Sequence, residues 1–443
     1  MKRVVMLKLA VALFLSVATS SIEKVGRGAG LEAHQNTDEE LIISDSNHWD
    51  TTSLGGSILN QEQSPFLQPP DSSPNASPGS NGPWTHDPIC TEYRPALNST
   101  LCVYTDTTFN NGRGISIFTT PEIASQIADT ISSLKAAEPL SIQAKTHPWT
   151  TIPVPNKGIG VIATEPLSRG DLVSSFHPYL VLHTENILST TDEREKFLRL
   201  AISQLPKSSQ EQFYDLAKMF DDERLVAQDV VKSNGFNLDV GGVVHVAVFP
   251  EASRFNHACD PNAQYYLTPD TLSHTIHATR PIQPNEEITI SYTTPFRSYA
   301  QRQEYLKTAY DFTCSCSRCQ KGEEADEPLH EINRIQSILG DWIPRDPSTS
   351  TESSAPSVRL AEQLIRLYQS LGLEGWLDYA YGNAALMYNS IGSIRGAKKY
   401  AHLAAESAKL RYGPESGDVA AWKTFEGDTQ GHWSWMIRKS RPI

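Results

Sequence analysis

The sequence predicts an α+β domain followed by an all-helical one, and three observations lead there. Val243-Val-His-Val-Ala-Val-Phe249 is a β-branched run of the kind that forms a buried strand. Val154-Pro-Asn-Lys-Gly158-Ile-Gly160 is a Gly-x-Gly turn feeding a second apolar strand that ends near Thr164. Beyond about residue 323 the apolar residues recur instead at three- and four-residue spacing, the period of a helix.

At 443 residues the chain has room for two or three domains. It is 20% charged and 39% apolar, a globular composition, with a net charge of −13. That sign, with no basic run, does not suit direct contact with nucleic acid, and none is expected.

Residues 1–20 read as a secretory signal peptide. Lys2 and Arg3 precede the apolar run Leu9–Ala18, and Ala18 and Ser20 supply small residues for cleavage. The run is short for a bilayer span and Lys8 interrupts it, so the mature protein is expected to carry no membrane segment. The implied location is the secretory pathway or the cell exterior. An uncleaved N terminus on a cytoplasmic or nuclear protein is the alternative.

Residues 21–87 are rich in Ser, Pro, Asn, Gln and Gly, bury too little to offset chain entropy, and read as disordered. A flanking region follows over 88–144. Asn75-Ala-Ser77 and Asn98-Ser-Thr100 are glycosylation acceptors, and Cys90 and Cys102 close a short loop around the second. Leader, sequons and close cysteines agree on an exported protein with a Cys90–Cys102 disulfide. The same region holds a Gly-rich turn at Asn110–Gly114, a strand at Ile115–Phe118 and a helix from about Pro121 to Ala137.

Residues 145–295 should form the main α+β domain. Within it Val173–Leu182 reads as one strand, and Thr191–Val230 as a helical stretch, part of an insertion over about 190–232. Residues 296–321 carry a cysteine-rich segment, and 322–443 the helices. Helices are expected around Leu329–Leu339, Leu360–Leu371, Trp376–Tyr388 and Ile394–Tyr412, punctuated by a Pro/Ser/Thr linker at 344–356 and by Gly372, Gly392 and Gly413-Pro414. The last two resemble a tetratricopeptide-type hairpin; an ordinary helical subdomain also fits.

Chemistry concentrates in Arg254-Phe-Asn-His-Ala-Cys-Asp-Pro-Asn262. By itself this is a turn with two potential metal ligands, His257 and Cys259. Two further segments follow it: Glu287-Ile-Thr-Ile-Ser-Tyr292 and Phe312-Thr-Cys314-Ser-Cys316-Ser-Arg-Cys319. In that order the three resemble the SET-domain protein-lysine methyltransferases.

The resemblance covers about Lys145–Lys321 and implies a pseudoknotted SET fold of the β-clip type with a post-SET zinc segment. It implies S-adenosylmethionine bound by Gly158, Gly160, Asn256, His257, Tyr292 and Phe312. Tyr292 would be the catalytic tyrosine, and Phe312 a wall of the substrate lysine channel. Cys259, Cys314, Cys316 and Cys319 would hold structural zinc, with disulfide pairing among them as the rival.

The expected partner is a protein substrate with a target lysine, and the expected state a monomer. Arg302-x-x-x-Leu306 before Tyr310-x-Phe312 is similar to the SET-and-MYND branch, but no cysteine lies between Cys102 and Cys259, so the MYND finger is absent. The likeness is closer to fungal SET-domain-containing proteins without it. Ala258 stands where Ser is usual. A leader on such a chain also leaves open a secreted, non-enzymatic SET-fold binding protein with an inert pocket.

Overall fold

A computed structural model of the chain describes residues 82–136, 147–184, 190–220, 222–340 and 356–438. The expected leader, residues 21–81 with Asn75, and the linker up to residue 355 lie outside the described residues.

The first unit begins with β1 (Ile89–Cys90), β2 (Cys102–Asp106) and β3 (Ile115–Thr119), antiparallel neighbours in sequence order. Cys90 sits directly opposite Cys102 in this register, and the two are joined by a disulfide. Between β2 and β3 the chain turns through Asn110 and Asn111, both left-handed at φ 51 and 59, a conformation asparagine tolerates better than most residues. Helix α1 (Pro121–Ala136) follows, with Ile123, Ile127 and Ile131 facing inward.

Next come β4 (Trp149–Val154), β5 (Gly158–Ala163), β6 (Leu172–Phe176) and β7 (Leu180–His183). The stretch expected as one strand over Val173–Leu182 is therefore two. Pro178 lacks an N–H for a continuous ladder, and the halves join different sheets. Likewise Thr191–Val230 is three helices, α2 (Thr191–Ser203), α3 (Lys207–Tyr214) and α4 (Val226–Asn234), divided by Pro206 and by residues 215–225. The N terminus of α4 has no cap of its own. Buried Glu195 on α2 substitutes, accepting from the N–H groups of Ala227 and Gln228 at 3.0 Å each.

Strands β8 (Gly235–Val240) and β9 (Val243–Val248) complete a six-stranded sheet of order β1-β2-β3-β7-β9-β8, parallel only between β3 and β7. Its two faces are both covered. Cys102 and Tyr104 look toward one core with α1, while Val103, Phe118 and Leu182 pack with the α2–α4 helices. Two three-stranded sheets flank it: β10 (Ala263–Thr268), β11 (Ser273–Ala278) and β6, then β12 (Glu287–Ile288), β5 and β4.

Helix α5 (Tyr299–Tyr310) opens on a capping box in which Ser298 and Gln301 satisfy each other's backbone N–H. The C-terminal helices are α6 (Glu327–Leu339), α7 (Val358–Ser370), α8 (Leu377–Ser390), α9 (Ile394–Tyr412) and α10 (Gly417–Gly427), around one core. Close crossings there need glycine: a Cβ on Gly382 would stand 2.4 Å from the Trp422 ring. No helix among the described residues is long and apolar enough to cross a membrane.

The helical unit sits on the first. Arg169 donates to the carbonyls of Thr279 and Glu374 and, at 2.8 Å, to Ser407. Gly413 lies against the ring of Tyr266, close enough that a Cβ there would be 3.1 Å from it.

Candidate functional site

The motif segments that the sequence separates run side by side in the fold. The N–H of Ile290 donates to the Asn256 carbonyl and its carbonyl accepts from Ala258, both at 3.0 Å, a parallel bridge between His257 and Ile290. Asn262 locks the crossing from below. Its Nδ2 reaches the Glu287 carbonyl at 2.8 Å and its Oδ1 accepts from the Thr289 N–H at 2.8 Å.

This crossing delivers Tyr292 beside His257. The Tyr292 N–H donates to His257 Nδ1 at 3.0 Å, and the Tyr292 hydroxyl donates to the Phe255 carbonyl at 2.7 Å. The ring is fixed at both ends and half-buried. It lies 5.0 Å from the ring of Tyr310 and 6.5 Å from that of Phe312. Burial, with the Glu287 carboxylate and the Tyr265 hydroxyl nearby, raises its pKa well above the ordinary tyrosine value. It is a neutral hydroxyl across the physiological range, not a base.

Gly160 belongs to the same site by close approach. A Cβ there would stand 2.7 Å from Asn256 Nδ2 and 2.9 Å from Glu287 Oε1. Gly158 is different: its φ is +73 and nothing would meet its Cβ within 4 Å. Asn256 Nδ2 donates to Glu287 Oε1 at 2.9 Å, and Lys157 pairs with the other oxygen at 2.7 Å.

His257 is 4% exposed, and its imidazole is fully engaged by protein. Its main-chain N–H and C=O, by contrast, find no hydrogen-bond partner among the described residues. A buried backbone pair left open next to a glycine turn fits a ligand that presents both a donor and an acceptor. S-adenosylmethionine, with its adenine, does so.

The Sγ atoms of Cys259, Cys314, Cys316 and Cys319 all lie within 4.8 Å of one another. Gln303 on α5 holds the loop that carries three of them, donating to the Cys314 carbonyl at 2.8 Å and accepting its N–H at 2.9 Å. Two buried cations adjoin the sulfurs. Arg302 is 0% and Arg318 2% exposed. Arg302 Nη1 donates to the Arg297 carbonyl at 2.6 Å and Arg318 Nη1 to the Cys259 carbonyl at 3.3 Å. In each, Nε and Nη2 meet no oxygen or nitrogen partner among the described residues.

For Arg302, burial opposes the charge but the sulfurs of Cys259 and Cys319 more than offset it, and its pKa stands above the usual value. Burial, aided by Arg302, pulls Arg318 down to about 10, still a cation at neutral pH. A divalent ion on four thiolates leaves two net negative charges, and two guanidinium groups match it. Paired as neutral disulfides, the same cysteines would leave Arg318 buried without anionic sulfur and Arg302 with only Asp326, 3.8 Å away, as counter-charge. The donor set fits a metal.

Sequence reasoning missed Tyr265 and assigned no specific role to Arg318 or Asn262, which stand inside the two motifs. Tyr265, which stacks on His274 at 4.6 Å and is pushed up to about 12 by burial, carried no sequence signal, since Gln264 and Tyr266 flank it without a clean apolar alternation. Arg302 and Tyr310 were visible only as parts of a motif.

Residues 158–293 match the family described as SET domain. Over 194 residues, 43% of this chain and 56% of the relative, the chain is 29% identical to "Histone-lysine N-methyltransferase set5" of Schizosaccharomyces pombe. It is 29% identical over 175 residues to "Histone-lysine N-methyltransferase SMYD3" of Homo sapiens, covering 35% of this chain and 40% of that one. With "N-lysine methyltransferase SMYD2-A" of Danio rerio it shares 34% identity over 116 residues, 26% of either chain. The chain thus spans about half the length of the first of these relatives and less of the others.

Proposed function

Because the chain carries a SET domain and its relatives are named lysine methyltransferases, we propose that it is an S-adenosylmethionine-dependent protein-lysine N-methyltransferase. The observation that carries the reading is the setting of Tyr292: a neutral hydroxyl, anchored at both ends, walled by Tyr310 and Phe312, beside the open main chain of His257.

When bound, the cofactor supplies a methyl group already activated by its sulfonium. The chain's share is to orient and to exclude water. Gly160 and Asn256 with the His257 main chain would hold the cofactor, and Gly158 borders it. The Tyr292 hydroxyl spends its proton on the Phe255 carbonyl, so its oxygen lone pairs are available to an incoming amine. Phe312 and Tyr310 exclude water from the neutral amine's approach. No residue here is assigned as a base: the ammonium proton of the lysine must leave before the amine enters the channel. Zinc on Cys259, Cys314, Cys316 and Cys319 would pin the Phe312 segment in place.

Titration of the full chain with S-adenosylmethionine is the first test; no binding would favour the inert, non-enzymatic alternative. Tyr292→Phe should keep cofactor affinity and lose turnover on lysine-containing protein by about 10²-fold or more, since the lost contact serves the transition state. Full activity in a folded Tyr292→Phe protein would overturn the role of Tyr292 alone.

The proposed compartment is the secretory pathway, supported by the disulfide and by Asn98, which is exposed on a left-handed turn within the closed loop. A mature N terminus near Ser21 and glycosidase-sensitive mass at Asn98 are expected. An intact Met1 on cytosolic protein would refute export.

A further inference from the structure

His257 touches both centres at once. Its Nδ1 lies 3.0 Å from the Tyr292 N–H and its Nε2 3.3 Å from Cys259 Sγ. A backbone N–H can only donate, so Nδ1 must be the bare, accepting nitrogen. A doubly protonated ring has no bare nitrogen, so the ring is neutral. A neutral ring with a bare Nδ1 carries its one proton on Nε2, and that proton points at the Cys259 sulfur.

We propose that His257 is a positioning residue that couples the four-cysteine metal centre to the catalytic tyrosine. Through Nε2–H it stabilises the Cys259 thiolate in its metal-bound form; through Nδ1 it fixes the main chain at Tyr292. The inference rests on the methyltransferase reading for the meaning of Tyr292, but not for the coupling itself. Three features make this more than a packed histidine. Both ring nitrogens are used, the ring is 4% exposed, and one residue separates His257 from the ligand Cys259. The parallel bridge to Ile290 also leaves the ring little freedom to turn. A metal ligand that is itself hydrogen-bonded holds its ion more tightly, and loss of such a partner typically weakens metal binding about 10–100-fold.

Two variants split the roles. In His257→Asn the amide can reach the place of Nδ1 but not that of Nε2; in His257→Gln the reverse holds. Metal release to a chromophoric chelator and hydrogen exchange of the Tyr292 amide read the two ends without any activity assay. His257→Asn should release metal about tenfold faster or more, with Tyr292 amide protection largely kept. His257→Gln should release metal within a few-fold of the wild type, exchange the Tyr292 amide faster, and lose more kcat than His257→Asn with little change in KM.

Metal release at the wild-type rate from His257→Asn overturns the coupling. So does parallel damage by both variants at both ends, the sign of a merely structural ring, and so does a wild-type chain that holds no metal. A wild type that binds metal but neither cofactor nor substrate would sink the methyltransferase reading and leave the exchange and release results to decide this one.

Discussion

Arg302→Met keeps the length of a side chain that is 0% exposed and deletes its charge. If the four cysteines hold zinc as thiolates, their two net negative charges are balanced by Arg302 and Arg318, and the mutation leaves one uncompensated. Removing one partner of a buried pair costs about 3–5 kcal/mol. Asp326 stands 3.8 Å from Nη1 and already takes part of the Arg302 charge. The lower end, about 3 kcal/mol, is therefore expected, roughly a hundredfold in metal affinity at about 1.4 kcal/mol per tenfold.

Competition with a chromophoric chelator measures that loss, with circular dichroism to show that the variant is folded. Arg302→Lys keeps the charge without the planar fork and should fall between. The sign of the stability change is the sharper test. Were the cysteines two neutral disulfides, Arg302 would be a buried cation without anionic sulfur, and Met in its place would raise Tm. A folded Arg302→Met protein with wild-type metal affinity would refute the charge balance equally.

His274 predicts a pH effect. It is 0% exposed, both ring nitrogens lack a partner among the described residues, and burial pushes its pKa down to about 3. The unfolded chain takes the extra proton below about pH 6.5, so stability is present above that pH and falls by about 1.4 kcal/mol per unit as acid is added. His274→Phe should flatten the dependence between pH 6.5 and pH 4 and add about 1–3 kcal/mol at neutral pH, by removing two unsatisfied buried atoms. Urea unfolding at both pH values checks it, and an unchanged slope would show that His274 is solvated. Gly160→Ala forces a Cβ to 2.6 Å from Val154 Cγ2 and 2.7 Å from Asn256 Nδ2; calorimetry should find cofactor binding weakened at least tenfold, and wild-type affinity would remove Asn256 from the cofactor site.

Elements with a local signature were legible in the sequence. The four cysteines stood out because metal ligation imposes short spacing, and α9 because Gly392 and Gly413 bracket it. The single strand expected over Val173–Leu182 failed on Pro178, whose missing N–H is local information that the apolar run outweighed. Strands β10 and β11 were passed over, since residues such as Gln264, Tyr266, His274 and His277 give no clean apolar alternation; tertiary pairing makes them strands. Arg318 was unreadable for a different reason. Between two cysteines an arginine looks like a solvated surface residue, and only the fold shows that it is buried against sulfur. The pairing of His257 with Tyr292 crosses thirty-five residues and depends on the parallel bridge at Ile290, which no spacing rule announces.

Strand β10 is a party wall. Its alternation turns Tyr265 toward Phe236 and His274 inside the SET unit, while Tyr266, one residue on, meets Gly413, and Gln264 meets Gly375, both on the helical side. The two units therefore share a single ply of backbone, with no filler between them. A chain cut before Glu327 would not yield a bare SET unit but one with a stripped outer surface, one peptide plane from the rings around its site. For the same reason, a load placed on the helices by a bound partner has a short mechanical route to the aromatic wall, and substitutions on the two faces of β10 should prove energetically interdependent.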